Sequence, residues 1–186
     1  VKITPAHDPN DFEAGKRHGL EVKRVINIDG RLNELTGIYE GLKVKAAREK
    51  IVADLQIHSK YARATSKNIS LENLEKYARI KGLDLLGTGD FQHPLWNKEI
   101  KENLKEDDRG ILWSTTGFPF LWQTEISLIY TQGGKGRRVH HLILAPNKDV
   151  ADQITEALGK KGRLDYDGRP IFGFSSIELV EMMMSI

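Results

Sequence analysis

Polar and apolar positions alternate through residues 51–59, placing Asp54, Gln56 and His58 on one face of a predicted strand and Val52, Ala53, Leu55 and Ile57 largely among apolar neighbours. Residues 51–55 also continue the helical spacing of Val44 and Ala47. The β-branched Ile51 and Val52 favour the strand, so the helix that begins near Lys43 is expected to end near Lys50. Ser70 is placed to cap a helix whose apolar positions Leu71, Leu74, Tyr77, Ala78 and Ile80 face a core, with Gly82 as its stop. A second strand over residues 83–87 leads to Asp90 and His93, and Trp96, Ile100 and Leu104 stripe the helix that starts near Pro94.

Beyond these, residues 120–130 read as a long strand that returns antiparallel over residues 138–146 after a glycine-rich loop at 132–136. Val150, Ile154 and Leu158 stripe a helix opened by Asn147, and Ser175 with Glu178 forms a capping box for a final helix carrying Leu179, Met182 and Met183. At the front, the pattern predicts a strand over residues 1–4, a helix from Asn10 or Asp11 to His18, and a hairpin of residues 21–28 and 31–35 about Asp29 and Gly30.

The fold class is therefore α/β, and two successive strands end in polar residues. Loops leaving strand C-termini converge side chains on one point, so His58, Asp90 and His93 are expected along one sheet edge. The loop that follows His58 carries Lys60, Arg63 and Lys67, which reads either as a solvated loop or as a phosphate-contacting one. Trp96 is expected in the core and not as a base-stacking platform.

Composition narrows the chemistry. With 186 residues, 39% hydrophobic and 29% charged, the chain has the make-up of a globular protein, and its net charge of +2 neither demands nor excludes nucleic acid. Zero cysteines exclude disulfides and thiolate metal sites, so any metal would sit in His, Asp, Glu and amide ligands. That composition points to a cytoplasmic location. No apolar run approaches the roughly 20 residues that cross a bilayer, so no membrane partner is expected.

The run from Asp54 through Gln56, His58, Ser59, Lys60, Tyr61, Arg63 and Lys67, followed by Gly87, Thr88, Gly89, Asp90, Phe91, Gln92, His93 and Pro94, resembles the PHP (polymerase and histidinol phosphatase) superfamily of metal-dependent phosphoesterases. More narrowly, it is similar to the amino-terminal part of the endonuclease Q group, which nicks DNA at deaminated bases. The resemblance runs from about residue 51 to the end and implies a partial (β/α) PHP-type barrel preceded by a small α+β segment. It implies a divalent metal, zinc or manganese, held by Gln56, His58, Asp90, His93, Glu125 and His140. Within that set Asp90 and Glu125 are the catalytic candidates, with Glu125 as the bridge between ions. The implied phosphate contacts are Lys60, Arg63 and Lys67, and the implied partner is DNA. Gln56 departs from the pattern, which has histidine there, and a neutral amide is a poorer ligand for these ions. The strands present make about half of such a barrel, and the final apolar helix ends at Ile186 without a cap. A truncated site and association through exposed barrel edges are therefore expected.

The first 50 residues carry a different resemblance. His7, Asp8, Pro9, Asn10, Asp11, Phe12, His18 and Gly19, with Gly41, Leu42, Lys43, Ala47 and Arg48, resemble part of the editing domain of valyl-tRNA synthetase. Asp8 would there hold a substrate amino group, with tRNA as partner. The chain thus reads as two family fragments, residues 1–50 and 51–186. Three functions stay open: a DNA-acting phosphoester hydrolase, a fragment that binds or deacylates mischarged tRNA, and an inert fusion.

Overall fold

The computed structural model describes residues 24–50 and 52–186, together with Glu13, Lys16, Arg17 and Gly19. The chain divides into two compact units, Val1–Val52 and Ala53–Ile186. The predicted strand over residues 1–4, the helix ending at His18, and His7 and Asp8 lie outside the described residues.

In the first unit the expected hairpin contracts to isolated bridges. Ile26 pairs with Leu32 across a turn where Gly30 has φ +74°, and Arg31 pairs with Lys43. A 3-10 helix, Glu34–Tyr39, is capped by the Asn33 side chain, which accepts from Leu35 N. Helix α1, Val44–Lys50, ends where the competition between helix and strand predicted.

The second unit runs β1 (Ala53–Asp54), α2 (Leu71–Ile80), β2 (Leu85–Gly87), α3 (Pro94–Asn103), β3 (Lys105–Glu106), β4 (Leu112–Trp113), β5 (Pro119–Gln132), β6 (Lys135–Ala145), α4 (Lys148–Gly159), β7 (Ile171–Phe172) and α5 (Ser176–Met184). Everything is built on β5. Its first residues pair in parallel with β2 and antiparallel with β4, its whole later length pairs antiparallel with β6, and Ser127 and Leu128 pair in parallel with β7. On the β2 side, odd-numbered backbone groups take up the loops as well as the strands. Leu121 O accepts from Thr88 N, Gln123 O from Phe91 N, and Ser127 N donates to Pro170 O. One long strand thereby holds the exits of β2 and the entry to β7 along a single edge.

The expected partial barrel does not form. The strand order is β1-β2-β5-β4-β3, with β6 and β7 joined only to β5, so the sheet is open and not closed into a barrel. The reason is local. The antiparallel pair β3 and β4 occupies the position beside β5 that a barrel would give to another parallel strand, and β6 folds straight back from the tight turn at Gly133 and Gly134.

The core lies where α3, α4 and β5 meet, with Phe91, Trp96, Phe120, Trp122, Ile126 and Leu158 fully buried or nearly so. Each such side chain contributes about 1.5–3 kcal/mol of burial. Trp96 is a core residue, as its spacing indicated, and its Nε1 donates to Thr88 O at 2.9 Å. In α2 the expected stripe holds for Leu71 and Ala78, but Tyr77 and Ile80 are 58% and 70% exposed. The ten-residue helix buries one narrow line, Leu71, Glu75 and Ala78 at i, i+4 and i+7, and leaves the flanks of the stripe to solvent.

Candidate functional site

The site forms where the chain leaves β1 and β2. After Asp54 the backbone of the first segment stops pairing with a strand and bonds to side chains instead: Ile57 N donates to Gln123 Oε1 at 3.4 Å, and Ser59 N to Asp90 Oδ2 at 2.6 Å. This is why β1 is only two residues long where a nine-residue strand was predicted. Gln123 also accepts from Gly89 N at 3.0 Å, so one buried amide ties both strand exits together. Its side chain lies against Gly87, where an added Cβ would come within 2.6 Å.

Asp90 is completely buried at φ +43°, a left-handed conformation that aspartate tolerates better than most residues. Its Oδ2 accepts from Ser59 N and from Ser59 Oγ at 2.7 Å, and its Oδ1 lies 2.9 Å from His58 Nδ1. His58 Nε2 in turn lies 3.5 Å from Glu125 Oε2, which also accepts from Gln56 Nε2 at 2.9 Å. The other oxygen of Glu125 is 2.6 Å from His140 Nδ1 and 3.5 Å from Arg169. Neither approach is a hydrogen bond, so this buried oxygen has no hydrogen-bond partner.

The electrostatics follow from these contacts. The hydrogen bond to Asp90 raises the His58 pKa above its ordinary value, against burial, with the Asp90 and Glu125 charges adding to the rise. Burial pushes Glu125 up, but the Gln56 hydrogen bond and the charges of His58, His140 and Arg169 together hold it below the usual range. His93 behaves differently. It is buried, stacks on Tyr61 at 4.4 Å between ring centroids, leaves Nδ1 without a partner, and is pushed down in pKa chiefly by desolvation.

Thus Gln56, His58, Asp90, Glu125 and His140 are brought into one connected group, while His93 packs behind it. The predicted phosphate loop splits. Lys60 turns to Glu99 at 2.8 Å, Lys67 Nζ donates to Lys60 O at 3.0 Å, and Arg63 stays 72% exposed beside Asp167. The segment Asp167, Gly168 and Arg169 was missed. It follows a polar turn with no recognisable motif, yet Gly168 lies directly on Asp90, and Gln92 Nε2 donates to Gly168 O at 2.7 Å. Gln92 in turn accepts from Thr124 Oγ1. For Gln123 a signal did exist, since Gln123, Glu125 and Ser127 put polar groups on alternate positions of the strand.

Solved structures match this fold. Over 71% of its length the chain is similar to the lesion-specific endonuclease PfuEndoQ of Pyrococcus furiosus, with a TM-score of 0.62 and 29% identity, covering 31% of that chain. An endonuclease Q complex with a 27-mer duplex bearing an abasic lesion at its active site matches over 70% of the chain, with the same TM-score of 0.62 and 33% identity. The chain has an endonuclease Q-like nuclease fold. It spans less than a third of those nucleases.

By sequence, an uncharacterised protein of Methanocaldococcus jannaschii is 35% identical over 134 residues, 72% of this chain and 15% of that protein. The valine–tRNA ligase of Enterococcus faecalis is 50% identical over 76 residues, 41% of this chain and 9% of the ligase. No protein-family model matches the chain.

In this endonuclease Q-like fold the expected zinc or manganese finds no ligand cluster: among the described residues, no group of three or more His, Asp or Glu could hold a metal ion. The bonds explain why. Both nitrogens of His58 face carboxylates, both oxygens of Asp90 are engaged, and Gln56 turns its donor nitrogen toward Glu125. In this arrangement His58 and Asp90 are committed to protein partners, while Glu125 Oε1 and His93 Nδ1 are left without a hydrogen-bond partner. Among the described residues no helix is long and apolar enough to cross a membrane.

Proposed function

We propose that the chain is the site-bearing part of an endonuclease Q-like phosphoester hydrolase that acts on lesion-bearing DNA. The observation that supports this reading most is the convergence of His58, Asp90, Glu125 and His140 in a chain that matches the lesion-bound nuclease at 33% identity.

The protein groups have distinct work. Asp90 and Glu125 are too buried to meet a DNA backbone and act as positioning residues. Asp90 fixes the His58 ring through Nδ1, and Glu125 lies against His140 Nδ1. The His140 side chain is 49% exposed, so its remaining nitrogen is the one placed to exchange a proton with water or a leaving oxygen. General acid–base catalysis of this kind contributes about 10²–10⁴-fold.

The test is nicking of a duplex containing a single abasic site. Lesion-dependent nicking is expected, lowered at least about 100-fold in His140→Ala and in Asp90→Asn. Equal cleavage of intact and abasic duplexes, or full activity in both variants, would remove the reading.

A second reading rests on the 50% identity over 76 residues to valine–tRNA ligase. On it the chain joins a ligase-derived segment to the nuclease-like unit and binds tRNA. Deacylation of threonyl-tRNA for valine tests this, and a rate equal to the spontaneous one counts against it.

A further inference from the structure

The geometry points to an anion subsite made by Arg63 and Arg169, two arginines whose backbone N–H groups bond to the same buried carboxylate and whose guanidinium groups receive one backbone phosphate of the nucleic acid. It rests on the DNA reading of the neighbouring site for the identity of the ligand.

The tether comes first. Asp167 is 5% exposed, and its Oδ1 accepts from Arg63 N at 3.2 Å and Arg169 N at 3.1 Å. Its Oδ2 lies 3.2 Å from Arg63 Nε. One carboxylate therefore fixes the backbones of residues 106 positions apart, as well as one edge of the Arg63 fork. Gly168 N donates to Tyr61 O at 3.1 Å and Gly168 O accepts from Gln92, so the segment carrying Arg169 is bonded on both sides.

The exposure pattern gives the sign of the field. Asp90, Glu125 and Asp167 present side chains that are 0%, 2% and 7% exposed, whereas Arg63 and Arg169 are 72% and 39% exposed. An approaching anion meets guanidinium groups first, and the carboxylates that hold them lie behind. Asp167 faces the Arg63 guanidinium and Glu125 that of Arg169, so each arginine has a carboxylate behind it while its exposed side is turned to solvent. Arg169 Nη1 lies 3.5 Å from Glu125 Oε1, which puts the subsite next to His140 and His58. Planar guanidinium forks suit phosphate oxygens. Lys60 and Lys67, the other cations of the loop, are turned onto Glu99 and a backbone carbonyl.

The experiment measures binding of the full chain to an abasic duplex by fluorescence anisotropy across a salt series. In parallel, melting temperature is measured in inorganic phosphate against chloride at matched ionic strength. Arg169→Ala is expected to weaken duplex binding at least about 10-fold and to lower the slope of log K against log salt, and Arg63→Ala plus Arg169→Ala to lower it by about one, the single phosphate that the subsite neutralises. Arg169→Lys is expected to keep the slope, which a purely structural role would not separate from the alanine variant. Phosphate should raise the melting temperature of the wild type and not of the double variant. If the variants bind duplex with unchanged affinity and slope, the subsite is wrong and the DNA reading stands. If phosphate stabilises in an arginine-dependent way while no duplex binds, the subsite stands and the DNA reading falls. If neither ligand binds the wild type, both fall.

Discussion

His58 Nδ1 lies 2.9 Å from the fully buried Asp90 Oδ1, and this contact favours the protonated His58 ring. Because Asp90 raises the His58 pKa in the fold, folding favours the protonated ring. The stability this supplies is complete below the unfolded value of 6.5 and is lost as pH rises through the higher folded value. The stability gap between wild type and His58→Gln should therefore be wider at about pH 5.5 than at about pH 8.5. Denaturant titration at the two pH values checks it. An NMR titration midpoint for His58 below the ordinary value would contradict it.

Gly168 approaches Asp90 so closely that an added Cβ would lie 2.1 Å from Oδ2 and 2.9 Å from Ala62 N. Neither neighbour can retreat, since Asp90 is held by Ser59 and Ala62 N donates to Ser59 O. Gly168→Ala should lose about 1–3 kcal/mol by thermal denaturation and displace Arg169 with it. Gly173→Ala, where nothing lies within 4 Å, is the control and should be near neutral.

Trp96 joins the core to the site, because its Nε1 bonds to Thr88 O two residues before Asp90. Trp96→Phe keeps most of the buried ring but strands that carbonyl, at about 1–3 kcal/mol. Trp96→Ala should cost about 3–5 kcal/mol. Chemical denaturation of both variants checks the order: no loss in Trp96→Phe would show that the hydrogen bond contributes nothing, and equal losses would show that ring burial adds nothing beyond it.

Much of the second unit was legible in the sequence because its signals are local. Ser70 and Ser175 cap the helices they were placed to cap, and residues 120–130 sit inside β5. The convergence of His58 and Asp90 was readable from two strands ending in polar residues. Closure was not readable, because it depends on what pairs with β5, and the two-residue strands β3 and β4 carry almost no periodic signal. The tether at Asp167 was hidden for a similar reason. Its role arises from contact with Arg63 across the fold, and no nearby residue announces it. The roles of Lys60 and Lys67 could not be told from charge alone, since Glu99 competes for Lys60.

The central claim is that lesion-bearing DNA engages the group built from His58, Asp90, Glu125, His140 and Arg169. The most direct measurement is amide chemical-shift mapping of the full chain titrated with an abasic duplex and with its intact counterpart. The account predicts that the largest perturbations fall on residues 56–63, 88–93, 140 and 167–169, and that the abasic duplex reaches them at lower concentration. Perturbations confined to the outer faces of α2 and α4, or identical for the two duplexes, would contradict it.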